Sequence, residues 1–259
     1  MKKLFVAVAL AGGILFQSCK KDNNNNNGSS AQNAQMSIRL TDAPGDYDAV
    51  NVNIQSISVN HETKGWIDIP VQRPGMYNLL DLRNGTDVLL CQGDIPPGRI
   101  NQIRLTLGSG NTVMVKGMVY ELNTPSAEES GLKLNVDQSL DANTAYSFWL
   151  DFDAGKSVVE TGSGKYMLKP VIRSYTQLTD GRIKGYFSFL YPGTIVYAIN
   201  GADTFSTYPD KSGSFMFCGL PEANYTLHIE TASTLTLDVP GVAVKFGSVT
   251  DVGVLTLRP

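Results

Sequence analysis

The chain has 259 residues, 42% of them hydrophobic, with 21 Lys and Arg against 24 Asp and Glu and a formal net charge of −3. That length and apolar content suffice for two ordinary cores. A mildly acidic chain without a basic stripe is a poor nucleic-acid binder, so no nucleic-acid partner is expected.

In chain order, Met1-Lys2-Lys3 precedes an apolar run from Leu4 to Phe16. A short positive segment followed by such a run has the form of an export signal, and it falls short of the roughly 20 apolar residues that span a bilayer. The run ends in Leu15-Phe16-Gln17-Ser18-Cys19, which resembles a bacterial lipobox. Phe16 and Gln17 depart from the usual leucine and small residue, whereas Ser18 fits. The resemblance implies that residues 1–18 are a leader and that Cys19 carries the lipid; the alternative is an ordinary secretory signal in which Cys19 is incidental. One acyl chain holds a protein only marginally; a diacylated, N-acylated cysteine supplies three. Residues 19–34 follow as a polar tether rich in Asn, Gly and Ser, which cannot bury enough surface to offset its ordering entropy. As a coil it spans about 20–25 Å. Lys20 after the cysteine resembles outer-membrane sorting, and Lys20-Lys21-Asp22 resembles the surface-export signals of some Gram-negative lipoproteins. The expectation is an outer-membrane lipoprotein facing outward, with the periplasmic face as the alternative and the membrane as its partner through the anchor.

From residue 35 onward the pattern is period two, punctuated by glycine and proline. Val50, Val52 and Ile54 alternate with Asn51, Asn53 and Gln55, and the phase then slips to Ile57 and Val59. One extra residue near Gln55-Ser56 does this, which predicts a β-bulge. Further strands are expected at Met36–Leu40, Trp66–Val71, Gln102–Leu107, Thr112–Val115, Gly117–Leu122, Leu132–Val136, Tyr146–Phe152 and Tyr166–Thr176. Many short strands with regular turn signals predict a β-sandwich over 35–178. Thr179-Asp180-Gly181 marks a boundary, and a smaller all-β unit fills 179–259. The fold class expected is all-β, two sandwiches in tandem.

Two resemblances bear on these units. Gly181-Arg182-Ile183-Lys184-Gly185, Pro192-Gly193-Thr194-Ile195-Val196-Tyr197-Ala198, Asp210-Lys211-Ser212-Gly213-Ser214-Phe215-Met216-Phe217-Cys218-Gly219-Leu220-Pro221 and Tyr225-Thr226-Leu227 together resemble a carboxypeptidase regulatory-like domain. That implies a small transthyretin-like sandwich without peptidase activity. Asn224 replaces the family's usual glycine and is expected in a left-handed conformation; Asn200-Gly201 is expected to turn a hairpin. In the first unit, Leu40-Thr41-Asp42-Ala43-Pro44, Leu150-Asp151-Phe152-Asp153-Ala154-Gly155-Lys156-Ser157-Val158-Val159 and Gly164-Lys165-Tyr166-Met167-Leu168-Lys169-Pro170-Val171-Ile172 resemble domain-of-unknown-function family 4382. That implies an exported β-rich domain and no activity.

Catalytic chemistry is poorly supplied. The two histidines, His61 and His228, lie in separate units, and no zinc-protease helix, serine elbow or cysteine–histidine pairing can be written. Gly162-Ser163-Gly164-Lys165-Tyr166 lacks the earlier glycine and the following Ser or Thr of a phosphate loop, and reads as a hairpin turn. Cys91 and Cys218 sit among apolar neighbours and read as buried free thiols. No cofactor is called for. Asp42, Asp46 and Asp48 are weak calcium candidates; without loop spacing they read as a turn in which Asp42 accepts backbone hydrogen bonds.

The strand Phe148–Asp153 carries the ligand expectation. Phe148, Leu150 and Phe152 share one face, Trp149, Asp151 and Asp153 the other. An indole beside two carboxylates suits a sugar; the alternative has Trp149 covered and the aspartates paired to Lys156, Lys169 or Arg173. The same aspartates stand side by side rather than opposed, which does not suit a glycosidase pair. The expected function is a non-catalytic envelope module that binds glycan or protein. The alternatives are a structural subunit whose edge strands pair between chains, and a carboxylate-based hydrolase.

Overall fold

Alternation of apolar and polar side chains builds nearly all of the architecture. A computed structural model describes residues 32–43, 45–124, 130–162, 164–201 and 203–258. The leader, Cys19 and the tether up to residue 31 lie outside the described residues. No helix among the described residues is long and apolar enough to cross a membrane.

The first half contains β1 (Ala34–Ala43), β2 (Ala49–His61), β3 (Gly65–Ile69), β4 (Gly75–Asn78), β5 (Val88–Ile95), β6 (Gly98–Leu107), β7 (Thr112–Val115), β8 (Met118–Asn123), β9 (Leu132–Leu140), β10 (Ala145–Asp153), β11 (Val158–Glu160), β12 (Tyr166–Leu168) and β13 (Ile172–Thr176). A short helical turn, α1 (Ala154–Ser157), follows β10. One sheet runs β13-β10-β1-β5; the larger runs β11-β12-β8-β7-β2-β6-β9, with β3 and β4 also on β2. Their facing apolar residues form one core, in which Ile38, Leu40, Val50, Val52, Ile54, Ile57, Val59, Phe148, Leu150 and Phe152 are buried. The phase slip in β2 is present: Gln55 and Ser56 are both exposed, and the register against β6 shifts between Ile54 and Ser56.

The second half contains β14 (Gly181–Phe187), β15 (Ile195–Asn200), β16 (Asp203–Thr207), β17 (Ser214–Leu220), β18 (Ala223–Glu230), β19 (Thr236–Val244) and β20 (Val249–Leu255). Its sheets run β17-β14-β20 and β16-β15-β18-β19. They enclose a second core that includes Ile183, Phe187, Phe215, Phe217, Tyr225 and Leu227. The β15–β16 hairpin closes between Asn200 and Asp203, as its turn signal predicts. Asn224 corrects an expectation. It lies within β18, paired to Ala243, and is not among the positive-φ residues; strand pairing, not a left-handed turn, sets its backbone. Tyr225 next to it anchors that corner, its hydroxyl donating to Pro221 O at 3.0 Å.

The single strand expected over Tyr166–Thr176 is two. Pro170 has no N–H to give a ladder, and the chain crosses there from the larger sheet to the smaller. The Ser157 side chain and backbone support the crossing: Ser157 O accepts from Lys169 N (2.8 Å) and Ser157 Oγ from Val171 N (2.8 Å). The β11–β12 hairpin closes through Thr161, whose N donates to Lys165 O at 2.7 Å and whose O accepts from Gly164 N at 3.0 Å.

Candidate functional site

The outward face of the smaller sheet is where the expected site residues fall. Parallel pairing of β1 with β10, and antiparallel pairing of β10 with β13, set two rows: Arg39, Trp149 and Tyr175, then Thr41, Asp151 and Arg173. Strand pleating puts both rows on the side opposite Phe148, Leu150 and Phe152. The second half of the chain packs against this side.

Trp149 is half-buried. Its indole stacks on Tyr175, centroids 5.7 Å apart and planes within 3°, and Nε1 donates to Asp87 Oδ2 at 2.8 Å. Arg39 holds the same carboxylate at 2.5 Å. Asp151 is 4% exposed and ion-paired to Arg173. Burial pushes its carboxyl up, and the Arg173 guanidinium pulls it back. Asp153, also 4% exposed, caps α1: Oδ1 accepts from Lys156 N at 2.9 Å, and Oδ2 pairs with Lys156 Nζ at 3.1 Å. The indole and the two carboxylates therefore do share a face, but not an open one. The covered alternative describes them, with Arg173 and Lys156 as partners.

What covers them is a joint between the halves. Arg173 Nη1 donates to Gly219 O at 3.3 Å and Nη2 to Cys218 O at 3.4 Å, and the guanidinium lies 4.5 Å over the Phe205 ring. Lys156 Nζ donates to Thr204 O at 3.1 Å. From the β4–β5 connection, Asn84 Nδ2 donates to Ser214 O (3.2 Å), and Asn84 Oδ1 accepts from Met216 N (3.1 Å), so its amide occupies the edge of β17 as a pairing strand would. Asp180 Oδ1 accepts from Gly219 N at 2.8 Å. The void left between Asp42, Asp151, Arg173 and β17 is about 20 Å³, room for one water at most. Asn84, Gly219 and Asp180 escape a sequence reading. Asn84-Gly85 signals a turn, but nothing local says that the turn docks on a strand over a hundred residues away.

The calcium candidates do not converge. Asp42 is 5% exposed, its Oδ1 accepting from Ala154 N at 3.1 Å, while Oδ2 has no partner. Burial pushes its carboxyl well up, and the nearby Asp151 carboxylate adds to this. Asp46 and Asp48 are exposed, and Asp48 Oδ2 accepts from Gly117 N at 2.8 Å. Among the described residues no group of three or more His, Cys, Asp or Glu is placed to hold a metal. The expected backbone bond to Asp42 is there, from Ala154 N.

The remaining titratable candidates serve the framework. His61 is buried, with Nδ1 accepting from Thr63 N (3.2 Å) and Nε2 donating to Pro97 O (3.2 Å). His228 bridges Asp238 (2.6 Å) and Glu230 (3.0 Å) on β18 and β19. Cys91 and Cys218 are free thiols, each pushed up to about 12 by burial.

No curated protein matches the chain. Among solved structures it is similar to the Bacillus anthracis TIE protein (10% identity, TM-score 0.23), over 88% of this chain and 34% of that one, so it spans about a third of that protein. It is also similar to the shaft pilin SpaA of Lactobacillus rhamnosus GG (10% identity, TM-score 0.23, 88% and 98% covered) and a Streptococcal ancillary pilin (12% identity, TM-score 0.19, 87% and 63% covered). At such TM-scores these likenesses carry no weight for topology or role. Residues 33–170 match the model of a family described as "Domain of unknown function (DUF4382)". That is more than half of the sequence, and the chain belongs to the DUF4382 family.

Proposed function

We propose that this chain is a non-catalytic envelope lipoprotein, tethered through Cys19, that presents a stiff two-part β body as a binding or scaffolding module for glycan or protein. The observation that carries the reading is the joint at Arg173. The strand richest in candidate chemistry, β10, spends its carboxylates on ion pairs and a helix cap that fix one half to the other. A body held that way suits presentation of a surface at a set geometry better than a cycle of opening and closing. The second half, with sheets of three and four strands around one core, fits the carboxypeptidase regulatory-like reading of Gly181–Leu257. Protease shaving of intact cells, with Cys19→Ser as the control, tests the address: shaving should remove the wild-type protein, and the variant should leave the envelope fraction. Protein that resists shaving points to the periplasmic face; a Cys19→Ser variant that still sediments with envelopes sinks the anchor.

One observation favours a second reading, a structural subunit. β20 is a sheet edge, and its Val249 and Val254 are 48% and 65% exposed, Val249 beside Arg182 and Val254 beside Tyr186. Unpaired edges with apolar side chains are templates for another strand. Concentration-dependent polymers in sedimentation velocity would decide for it, and a monomer at all concentrations against it.

A further inference from the structure

We propose that the outer face of the larger sheet, centred on Trp66 and Arg104, binds an acidic glycan, a polysaccharide bearing uronate sugars. This rests on the binding-module reading and moves the ligand surface away from Trp149.

The face follows from register. β3, β2, β6 and β9 lie side by side. Ile57, Val59, Ile103 and Leu105 are their buried side, so the alternate residues face outward. Across the four strands, one row reads Trp66, Asn60, Gln102, Asn135, and the next Asp68, Ser58, Arg104, Lys133. The first row is an indole followed by three amides. Gln102 Nε2 donates to Asn135 Oδ1 at 2.8 Å, which orients two of them.

Arg104 is the unusual member. It crosses β2 and lays its guanidinium 3.7 Å over the Trp66 ring, and Ser58 between them is only 6% exposed although it faces outward. The side chain has room because residue 131 is glycine: at its φ of +71°, a Cβ would come within 2.8 Å of Arg104 Cγ. Arg104 Nε is buried with no hydrogen-bond partner. Among the described residues no carboxylate pairs with Arg104 or with Lys133, its register partner on β9. By contrast Arg39, Arg99, Arg173 and Arg182 are all ion-paired.

Asp68 ends the same row, but among the described residues neither Arg104 nor Lys133 is ion-paired with it or with any other carboxylate, so the two neighbouring cations are complementary to an anion from outside. The indole and amides specify what carries that anion. A pyranose stacks its C–H face on an aromatic ring and exchanges hydroxyl hydrogen bonds with amides. Arg104 already lies over the Trp66 ring, so a carboxylate on the sugar seated there meets Arg104, and Lys133, three strands from Trp66 or about 14 Å at ordinary strand spacing, meets the carboxylate of the next sugar along. A nucleic acid would call for a longer run of cations along a backbone, and the row of amides does not offer one.

Isothermal titration of the full chain in detergent with oligogalacturonate tests this, with a neutral galactose oligomer and dextran sulfate alongside. Oligogalacturonate should bind at least about tenfold tighter than the neutral oligomer, since charge-assisted hydrogen bonds supply the difference. Trp66→Ala and Lys133→Ala should each weaken it about tenfold while leaving the melting temperature close to wild type. Lys133 is exposed, so its variant reads binding even if Trp66→Ala or Arg104→Gln perturbs the sheet. No oligogalacturonate binding at millimolar concentration, equal binding of the neutral oligomer, or tight dextran sulfate binding with oligogalacturonate indifferent to Trp66→Ala would each overturn the proposal. None of these outcomes touches the shaving result, so the site and the cellular address fail separately.

Discussion

Asp42 shows how one side chain can report on burial. Its Oδ1 accepts the Ala154 N–H, while Oδ2 is buried and unpartnered, so the charged form lacks the solvation that water would give it. Its carboxyl is therefore raised in the folded state, first by burial and then by Asp151. A folded-state value above the unfolded one means that the folded chain binds the extra proton between the two. Asp42 thus favours folding at the acid end of that window, and this contribution is lost as pH rises from the ordinary carboxylate range through the raised value. Asp42→Asn keeps the acceptor for Ala154 and removes the charge. It should raise the melting temperature at pH 7 and change it less at pH 4, so that the variant's melting curve is flatter in pH; a parallel shift at both pH values would contradict this account. The thiols belong at the same scale. Reactivity needs the thiolate, and with Cys91 and Cys218 both pushed up to about 12, iodoacetamide at pH 8 should modify neither in the folded chain and both in urea. Fast native labelling of Cys218, the more exposed of the two, would contradict its packing.

At the scale of elements, what a strand does alone was legible and what covers it was not. The slip of phase between Ile54 and Ile57 names the β2 bulge outright, because a half-buried strand cannot change phase otherwise. The core side of β10 follows equally well from Phe148, Leu150 and Phe152. Its other side depends on residues distant in sequence, so the strand alone left both an open and a covered Trp149 standing; the indole is half-buried and stacked on Tyr175, and Arg173 beside it reaches Gly219 and Phe205. β12 and β13 looked like one strand because period-two apolar residues run through Pro170, whose missing N–H breaks the ladder. The end of β17, where its register against β14 shifts, offers a test of such coverage. Gly219 sits at φ +64°, and a Cβ there would enter the Tyr175 ring. Gly219→Ala faces both an unfavourable backbone region and a rigid aromatic neighbour, and should cost about 2–4 kcal/mol in urea unfolding. Tyr175→Leu in the same chain should recover part of that loss, since it removes the obstruction and leaves only the backbone cost. A neutral Gly219→Ala would mean that β17 does not meet β13 as described.

At the scale of the molecule, two cores raise the question of whether the chain unfolds once or twice. Each sandwich closes its own apolar interior, and two separate cores would by themselves give two transitions. The contacts across the joint are mostly polar: Asn84 on the edge of β17, Lys156 on Thr204 O, and Arg173 shared among Asp151, Gly219 O, Cys218 O and the Phe205 ring. Polar contacts couple two bodies strongly only where water is excluded. That condition is met at Asp151, 4% exposed, and at the void that holds no more than one water. Deleting one member of a buried ion pair leaves its partner's charge uncompensated and costs about 3–5 kcal/mol. Arg173→Ala should therefore lower the overall stability by about that amount. It should also divide a single calorimetric transition into two, because the lost bonds are those that cross between cores. Asp151→Asn added to Arg173→Ala should return part of the stability without returning the coupling: the stranded charge goes, and the bonds to Gly219 and Cys218 stay lost. A single transition that survives Arg173→Ala would place the coupling elsewhere, with Asn84 the next residue to remove.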